Sequence, residues 1–103
     1  MTCSRNDVVL LPIPFTDLTS RKVRPAIVVG RKETDLFVVP VSSVLSNTDV
    51  PLQDWQSAGL NVASGIKAQL ATIEEKLVVK IVGSVSPVDR KFIDDRLRDW
   101  LQL

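Results

Sequence analysis

The run Lys22-Val-Arg24-Pro25-Ala-Ile-Val-Val29 constrains this chain more than any other stretch. Its second half is small or β-branched and has strand propensity, so it belongs in a sheet that crosses the core. Arg21, Lys22 and Arg24, just ahead of it, are costly to bury unpaired. One strand therefore leaves the core carrying a cationic tip. Pro25 fixes its own φ, lacks an N–H and pushes Arg24 toward an extended backbone, which sets the guanidinium on a stiff mount. Such a mount suits an anionic ligand such as phosphate.

The rest of the chain arranges itself around this strand. Residues 7–13 (Asp-Val-Val-Leu-Leu-Pro-Ile) predict a first strand, apolar enough to be buried on both faces. Residues 14–21 mix turn formers with Phe15 and Leu18 and predict an ordered loop anchored by Phe15. The second strand, 22–30, turns through the polar run 31–35 into a third, 36–41, as an antiparallel hairpin. Loop chemistry follows over 42–49, then a short segment at 50–53 and one helical turn at 54–59 closed by Gly59, with Trp55 packing inward. Residues 64–73 predict a strand bent at Gly65, and 77–85 another; Thr72, Glu74 and Glu75 read as turn chemistry. Ser86-Pro87-Val-Asp89 is a helix start, with a serine N-cap, proline at the first position and an acid near the positive dipole end. That helix runs to about Leu101, with Val88, Phe92, Ile93, Leu97, Trp100 and Leu101 inward and Asp89, Arg90, Asp94, Asp95 and Arg98 outward. The fold class is mainly β with a C-terminal helix, a single barrel-like domain over 1–103.

Composition narrows the chemistry. At 103 residues, 45% hydrophobic and 24% charged, there is room for one core. A formal charge of +1 gives no global attraction to nucleic acid, so anion binding must come from local clustering. The single cysteine, Cys3, excludes an intrachain disulfide and multi-cysteine zinc sites, fits a reducing compartment, and reads as incidental near a frayed terminus. The absence of histidine removes the usual general base, the usual metal ligand and every His-dependent catalytic set. No run approaches the roughly 20 apolar residues of a membrane span, and residues 1–7 lack a signal-peptide core. The expectation is a cytoplasmic protein with no membrane partner, no metal and no cofactor.

If the hairpin turns near Lys32-Glu33, cross-strand partners have numbers summing to about 65 or 66, which sets Arg24 opposite Val41 or Ser42. An arginine fork holds two phosphate oxygens while a nearby serine hydroxyl donates to a third, so Arg24, Ser42 and Ser43 form a candidate anion site, with Arg21 and Lys22 adding charge. Arg31 and Lys32 fall at the hairpin's far end. The bland readings stand beside this one: basic residues before a buried strand are commonly solvated, and a serine after a strand commonly starts a turn. Lys67 and Gln69 alternate with Ile66, Ala68 and Leu70, and this pattern fits equally a solvated strand face or a second wall of the anion site.

Three blocks, residues 6–18 (Asn-Asp-Val-Val-Leu-Leu-Pro-Ile-Pro-Phe-Thr-Asp-Leu), 23–29 (Val-Arg-Pro-Ala-Ile-Val-Val) and 39–43 (Val-Pro-Val-Ser-Ser), resemble the PemK/MazF family of toxins in order and spacing. The resemblance continues through 54–60, 64–73 and the terminal helix. It implies an SH3-like barrel, a homodimer, and a metal-independent endoribonuclease of type II toxin-antitoxin systems that cuts single-stranded RNA at short sequences. It also implies a cognate antitoxin as partner, with DNA contacted only through the antitoxin complex. The family's catalytic arginine and the Thr or Ser ending its third strand match Arg24 and Ser42. The loop residues Phe15, Thr16, Asp17, Arg21 and Lys22 would then close over RNA, with Ser43, Lys67 and Gln69 as further substrate contacts. Two departures stand out. Asn6 replaces the family's usual glycine, in keeping with asparagine's tolerance of left-handed backbone, and Ser42 replaces a common threonine.

Two other classes compete with RNA cleavage. One is a catalytically silent SH3-like module that binds an antitoxin-like peptide. The other is a DNA-binding accessory, which the near-neutral charge and the missing recognition-helix pattern oppose.

Overall fold

Strands β1 (Asp7–Pro12), β2 (Val23–Lys32) and β3 (Asp35–Ser42) run antiparallel in chain order, each paired with the next. The computed structural model describes residues 1–12 and 22–103 of the chain. The remaining strands are β4 (Val50–Pro51), β5 (Gly65–Ile66), β6 (Ala71–Glu74) and β7 (Lys80–Ser84), and helix α1 spans Pro87–Leu101. The sheet order is β4-β5-β3-β2-β1-β7, with β6 also on β3. β3 thus serves two ladders: its Asp35–Val38 half pairs with β6, and Val41 and Ser42 pair with β5.

The near-continuous apolar runs are explained by two cores. Val8, Ile27, Val39 and Val41 pack with Ile66, Val85 and Ile93, while the alternate residues Val9, Leu11, Ala26, Val28, Leu36 and Val38 pack with Cys3 and Val78. Period-2 alternation places successive side chains on opposite faces, so a sheet covered on both faces needs apolar residues at nearly every position.

The hairpin register agrees with the sequence arithmetic near the core. Ala26 pairs with Pro40, Ile27 with Val39 and Val28 with Val38, and a bulge between Val28 and Gly30 then shifts the ladder by one toward the turn. Asn6 has φ 78°, the left-handed backbone for which asparagine is among the better tolerated side chains.

Three expectations need correction. The single strand over 64–73 is two, β5 and β6, because β3 changes partner midway and the chain must cross from one ladder to the other. Helix α1 has the expected bounds and the Ser86 cap, whose Oγ accepts from Asp89 N at 3.3 Å, but it is rotated about its axis. Asp89 is 1% exposed and faces inward with Ile93, whereas Val88, Phe92 and Leu101 are 48%, 42% and 51% exposed. Burial of Asp89 is offset because its carboxylate accepts from the backbone N–H groups of Gln53 and Asp54 at 2.9 and 2.8 Å. Cys3, finally, is not at a frayed end. Its side chain is fully buried, its N–H donates to Glu75 Oε2 at 2.7 Å, and its carbonyl accepts from Arg31 Nη1 at 2.6 Å.

Candidate functional site

The cationic tip of β2 opens onto a cleft of about 460 Å³. Arg24 pairs with Leu11 on the β1 side, and extending the β2–β3 register past Ala26 brings it level with Ser42. Arg24, Ser42, Ser43 and Lys67 all line this cleft. Arg24 is exposed, and its guanidinium has no carboxylate partner among the described residues. Lys67, just beyond β5, is held by its backbone N–H, which donates to Pro40 O at 3.0 Å, so the second cation is tied to β3 as well.

Ser42 Oγ accepts from Val44 N at 3.1 Å, which anchors the start of a 3-10 turn over Leu45–Asn47. A hydroxyl used in this way as acceptor still has its hydrogen to give. Ser64 lines the cleft too, with its Oγ donating to Val62 O at 2.9 Å. Among its described lining residues the cleft has two cations and no carboxylate. A site of this make-up concentrates positive potential in a protein whose net charge is only +1.

Not every sequence-selected residue gathers here. Lys22 lies exposed ahead of β2 and outside the cleft's lining. Gln69 is half-buried away from the cleft, with its Oε1 out of solvent. Phe15, Thr16, Asp17 and Arg21 lie outside the described residues.

Other lining residues escaped the sequence reading: Asn47 on the 3-10 turn, Gly59 at the end of the turns at 53–59, and Leu60, Asn61 and Val62 after them. An asparagine in a loop carries no spacing signal, and only the tertiary fold brings these two loops to β2. The far end of the β2–β3 hairpin holds a different cluster. There Arg31 Nη1 donates to Glu75 Oε2 at 2.9 Å, and Arg31 Nη2 donates to Glu75 Oε1 at 3.2 Å and to Glu33 O at 2.6 Å. The hydrogen bond from Arg31, reinforced by the N–H of Cys3, pulls the Glu75 carboxyl down to about 2. Burial first, then the Glu75 charge, pushes the Cys3 thiol up. Glu75 is thus a clamp across the N-terminal segment at Cys3, the hairpin and the 74–77 connection. Among the described residues no group of three or more Cys, Asp or Glu side chains could hold a metal ion.

Comparison with known proteins adds identity to this geometry. A comparison with curated proteins gave no match. Among solved structures, the chain is similar to an endoribonuclease in complex with its cognate antitoxin from a mycobacterial species. The TM-score is 0.74 at 16% identity, over 98% of this chain and 94% of that one. The shared architecture is the mainly antiparallel β fold with one C-terminal helix that the sequence predicts. The model of the PemK-like, MazF-like toxins of type II toxin-antitoxin systems matches residues 4–101, nearly the whole sequence, and the chain belongs to that family.

Proposed function

We propose that this toxin is an endoribonuclease acting on single-stranded RNA, and that the cleft between β2 and the 42–47 loop is where it cuts. The observation that carries this reading is the pairing of Arg24 and Lys67 with the hydroxyls of Ser42 and Ser43 in one cleft free of carboxylates among its described lining. Phosphodiester is the anion that such a set fits. The similar solved endoribonuclease and the family membership lend the reaction class.

The substrate supplies the nucleophile. A ribose 2′-oxygen bonds to the adjacent phosphorus, the bond from phosphorus to the 5′-oxygen breaks, and the products are a 2′,3′-cyclic phosphate and a free 5′-hydroxyl. Arg24 stabilises the charge that builds on the pentacoordinate phosphoryl oxygens, and Ser42 donates to one of them. The proton leaving the 2′-hydroxyl and the one reaching the 5′-oxygen pass through water or a carboxylate, for which the sequence offers Asp17. Arginine is a poor proton carrier because it stays charged at working pH. In this reading the protein works as a cytoplasmic homodimer that a cognate antitoxin silences.

The test is a digest of single-stranded RNA by the purified protein with a chelator present, followed by chemical identification and sequencing of the fragment ends. Cyclic phosphate at one end, hydroxyl at the other and a recurrent short sequence at the cut are expected. Intact RNA alongside tight binding of an antitoxin peptide would instead establish a silent binding module.

A further inference from the structure

The cations and hydroxyls of the cleft recognise phosphate, which every RNA sequence presents alike, so sequence preference must come from other groups. No aromatic side chain stands among the described lining residues, so the discrimination that these residues supply comes from hydrogen bonds to base edges. Two uncharged amides, Asn47 and Asn61, line the same cleft and are exposed, and neither side chain has a hydrogen-bond partner among the described residues. An amide presents a donor and an acceptor side by side, the arrangement that matches one base edge and mismatches others.

Asn47 is held within its own short turn, by Asn47 N donating to Val44 O at 2.9 Å, whereas the mount of Asn61 reaches both the helix and β7. The chain that leads to it is fixed at its start by Asp89 of α1, which receives Gln53 N and Asp54 N. At its end it lies against β7 at Gly59, where a Cβ would stand 2.3 Å from Val82 O. Leu60 N donates to Trp55 O at 3.1 Å, so the residue just before Asn61 is itself bonded into the turn. A reader held in place before the ligand arrives loses little freedom on binding, which favours discrimination.

We propose that Asn61 is a specificity-determining residue, reading a base edge of single-stranded RNA whose phosphate sits at Arg24. The proposal rests on the nuclease reading for the identity of the ligand. Its consequence is selective: Asn61 contributes to the affinity for a preferred sequence and not to the affinity for RNA in general.

The experiment uses single-stranded RNA carrying 2′-O-methyl groups, which the 2′-hydroxyl route cannot cleave. A randomised pool is selected on the wild-type protein, and the enriched sequence and a scrambled version are titrated against wild type and Asn61→Ala, with thermal melting of both proteins as a check on folding. Asn61→Ala is expected to bind the enriched sequence roughly 5- to 150-fold more weakly while binding the scrambled one as wild type does. Equal weakening on both sequences, no weakening on either, or a wild-type protein that enriches no sequence would each overturn the assignment. If the enriched sequence is bound with preference but its unmethylated form is left uncut, the nuclease reading fails and the assignment of Asn61 stands.

Discussion

Gly59 and Gly83 lie backbone against backbone: a Cβ on Gly59 would stand 2.3 Å from Val82 O, and one on Gly83 would stand 2.3 Å from Ala58 O. Both approaches are to main-chain carbonyls, which cannot swing aside as a flexible side chain would. Gly83→Ala is therefore expected to force the 53–59 turns away from β7 and to destabilise the fold by about 1–3 kcal/mol. Gly59→Ala should cost at least as much, because φ at Gly59 is 92° and a side chain adds strain there. Urea unfolding measures both, and a midpoint unchanged in Gly83→Ala would mean that the contact relaxes freely.

Arg24 stands exposed on β2 with its guanidinium at the cleft. Arg24→Ala should abolish RNA cleavage while changing stability by no more than about 0.5 kcal/mol. Arg24→Lys should restore little, since a point charge does not reproduce the bidentate fork. Cleavage by the lysine variant at the wild-type rate would remove the phosphate clamp from the mechanism. Ser42→Ala should cost less than Arg24→Ala, and Ser42→Thr, which keeps both the hydroxyl and its bond to Val44 N, should stay active.

Asp89 connects the helix to the cleft through two backbone donors. Asp89→Ala leaves Gln53 N and Asp54 N without their acceptor in a part-buried site, at about 1–3 kcal/mol for each donor left unpaired. Asp89→Asn keeps one acceptor oxygen and should recover part of that loss. Chemical denaturation of the two variants beside wild type separates a hydrogen-bonding role from a steric one: because asparagine keeps the shape of the side chain, an Asp89→Asn midpoint equal to that of wild type would point to packing alone.

Glu75 gives the fold an acid limit. Its carboxyl is held at about 2 by Arg31 and Cys3 N, below an ordinary value of 4.5. A group depressed on folding stabilises the native state fully above its unfolded pKa. That contribution is lost as pH falls from about 4.5 through about 2. Melting temperature followed across this window should drop more steeply for wild type than for Glu75→Gln, which has no carboxyl to protonate. Parallel curves would show that the clamp adds nothing to the pH dependence.

These residues also mark where sequence was a sufficient guide. Strand β1, the β2–β3 hairpin and the bounds of α1 were legible because each is specified locally, by apolar runs, turn chemistry, or a serine-proline start. The hairpin register even carries Arg24 to the level of Ser42, since the bulge falls on the turn side of Val28 and leaves the distal half of the ladder in step. What sequence did not disclose depends on partners far along the chain. Asp89 reads as a solvated helix residue until Gln53 and Asp54 are seen to donate to it, 36 and 35 residues away. Cys3 reads as a loose end until Arg31 and Glu75 close around it. Val88 and Phe92 read as inward by spacing, yet apolar spacing alone does not say which stripe of a helix meets the sheet. Asn61 had no signal at all, because its place in the cleft follows from the Gly59–Gly83 contact and from no local pattern.

A cleft holding Arg24 and Lys67 with no carboxylate among its described lining should attract acidic protein segments by the same field that, in the proposed function, draws in RNA. An antitoxin segment with Asp or Glu around an apolar anchor should order on binding and occupy the cleft, placing acid near Arg24 and apolar side chains against Leu60 and Val62. Inhibition is then occupation of the RNA site, and two measurements follow from that. Raising salt should slow association of the peptide more than it speeds dissociation, because screening acts on the long-range encounter. Uncleavable RNA should raise the apparent Kd of the peptide in proportion to the RNA added, and Arg24→Ala should weaken both ligands. Titration of labelled peptide at increasing RNA concentration decides the matter. If the two bind together with unchanged affinities, the antitoxin silences this toxin from another surface and the cleft belongs to RNA alone.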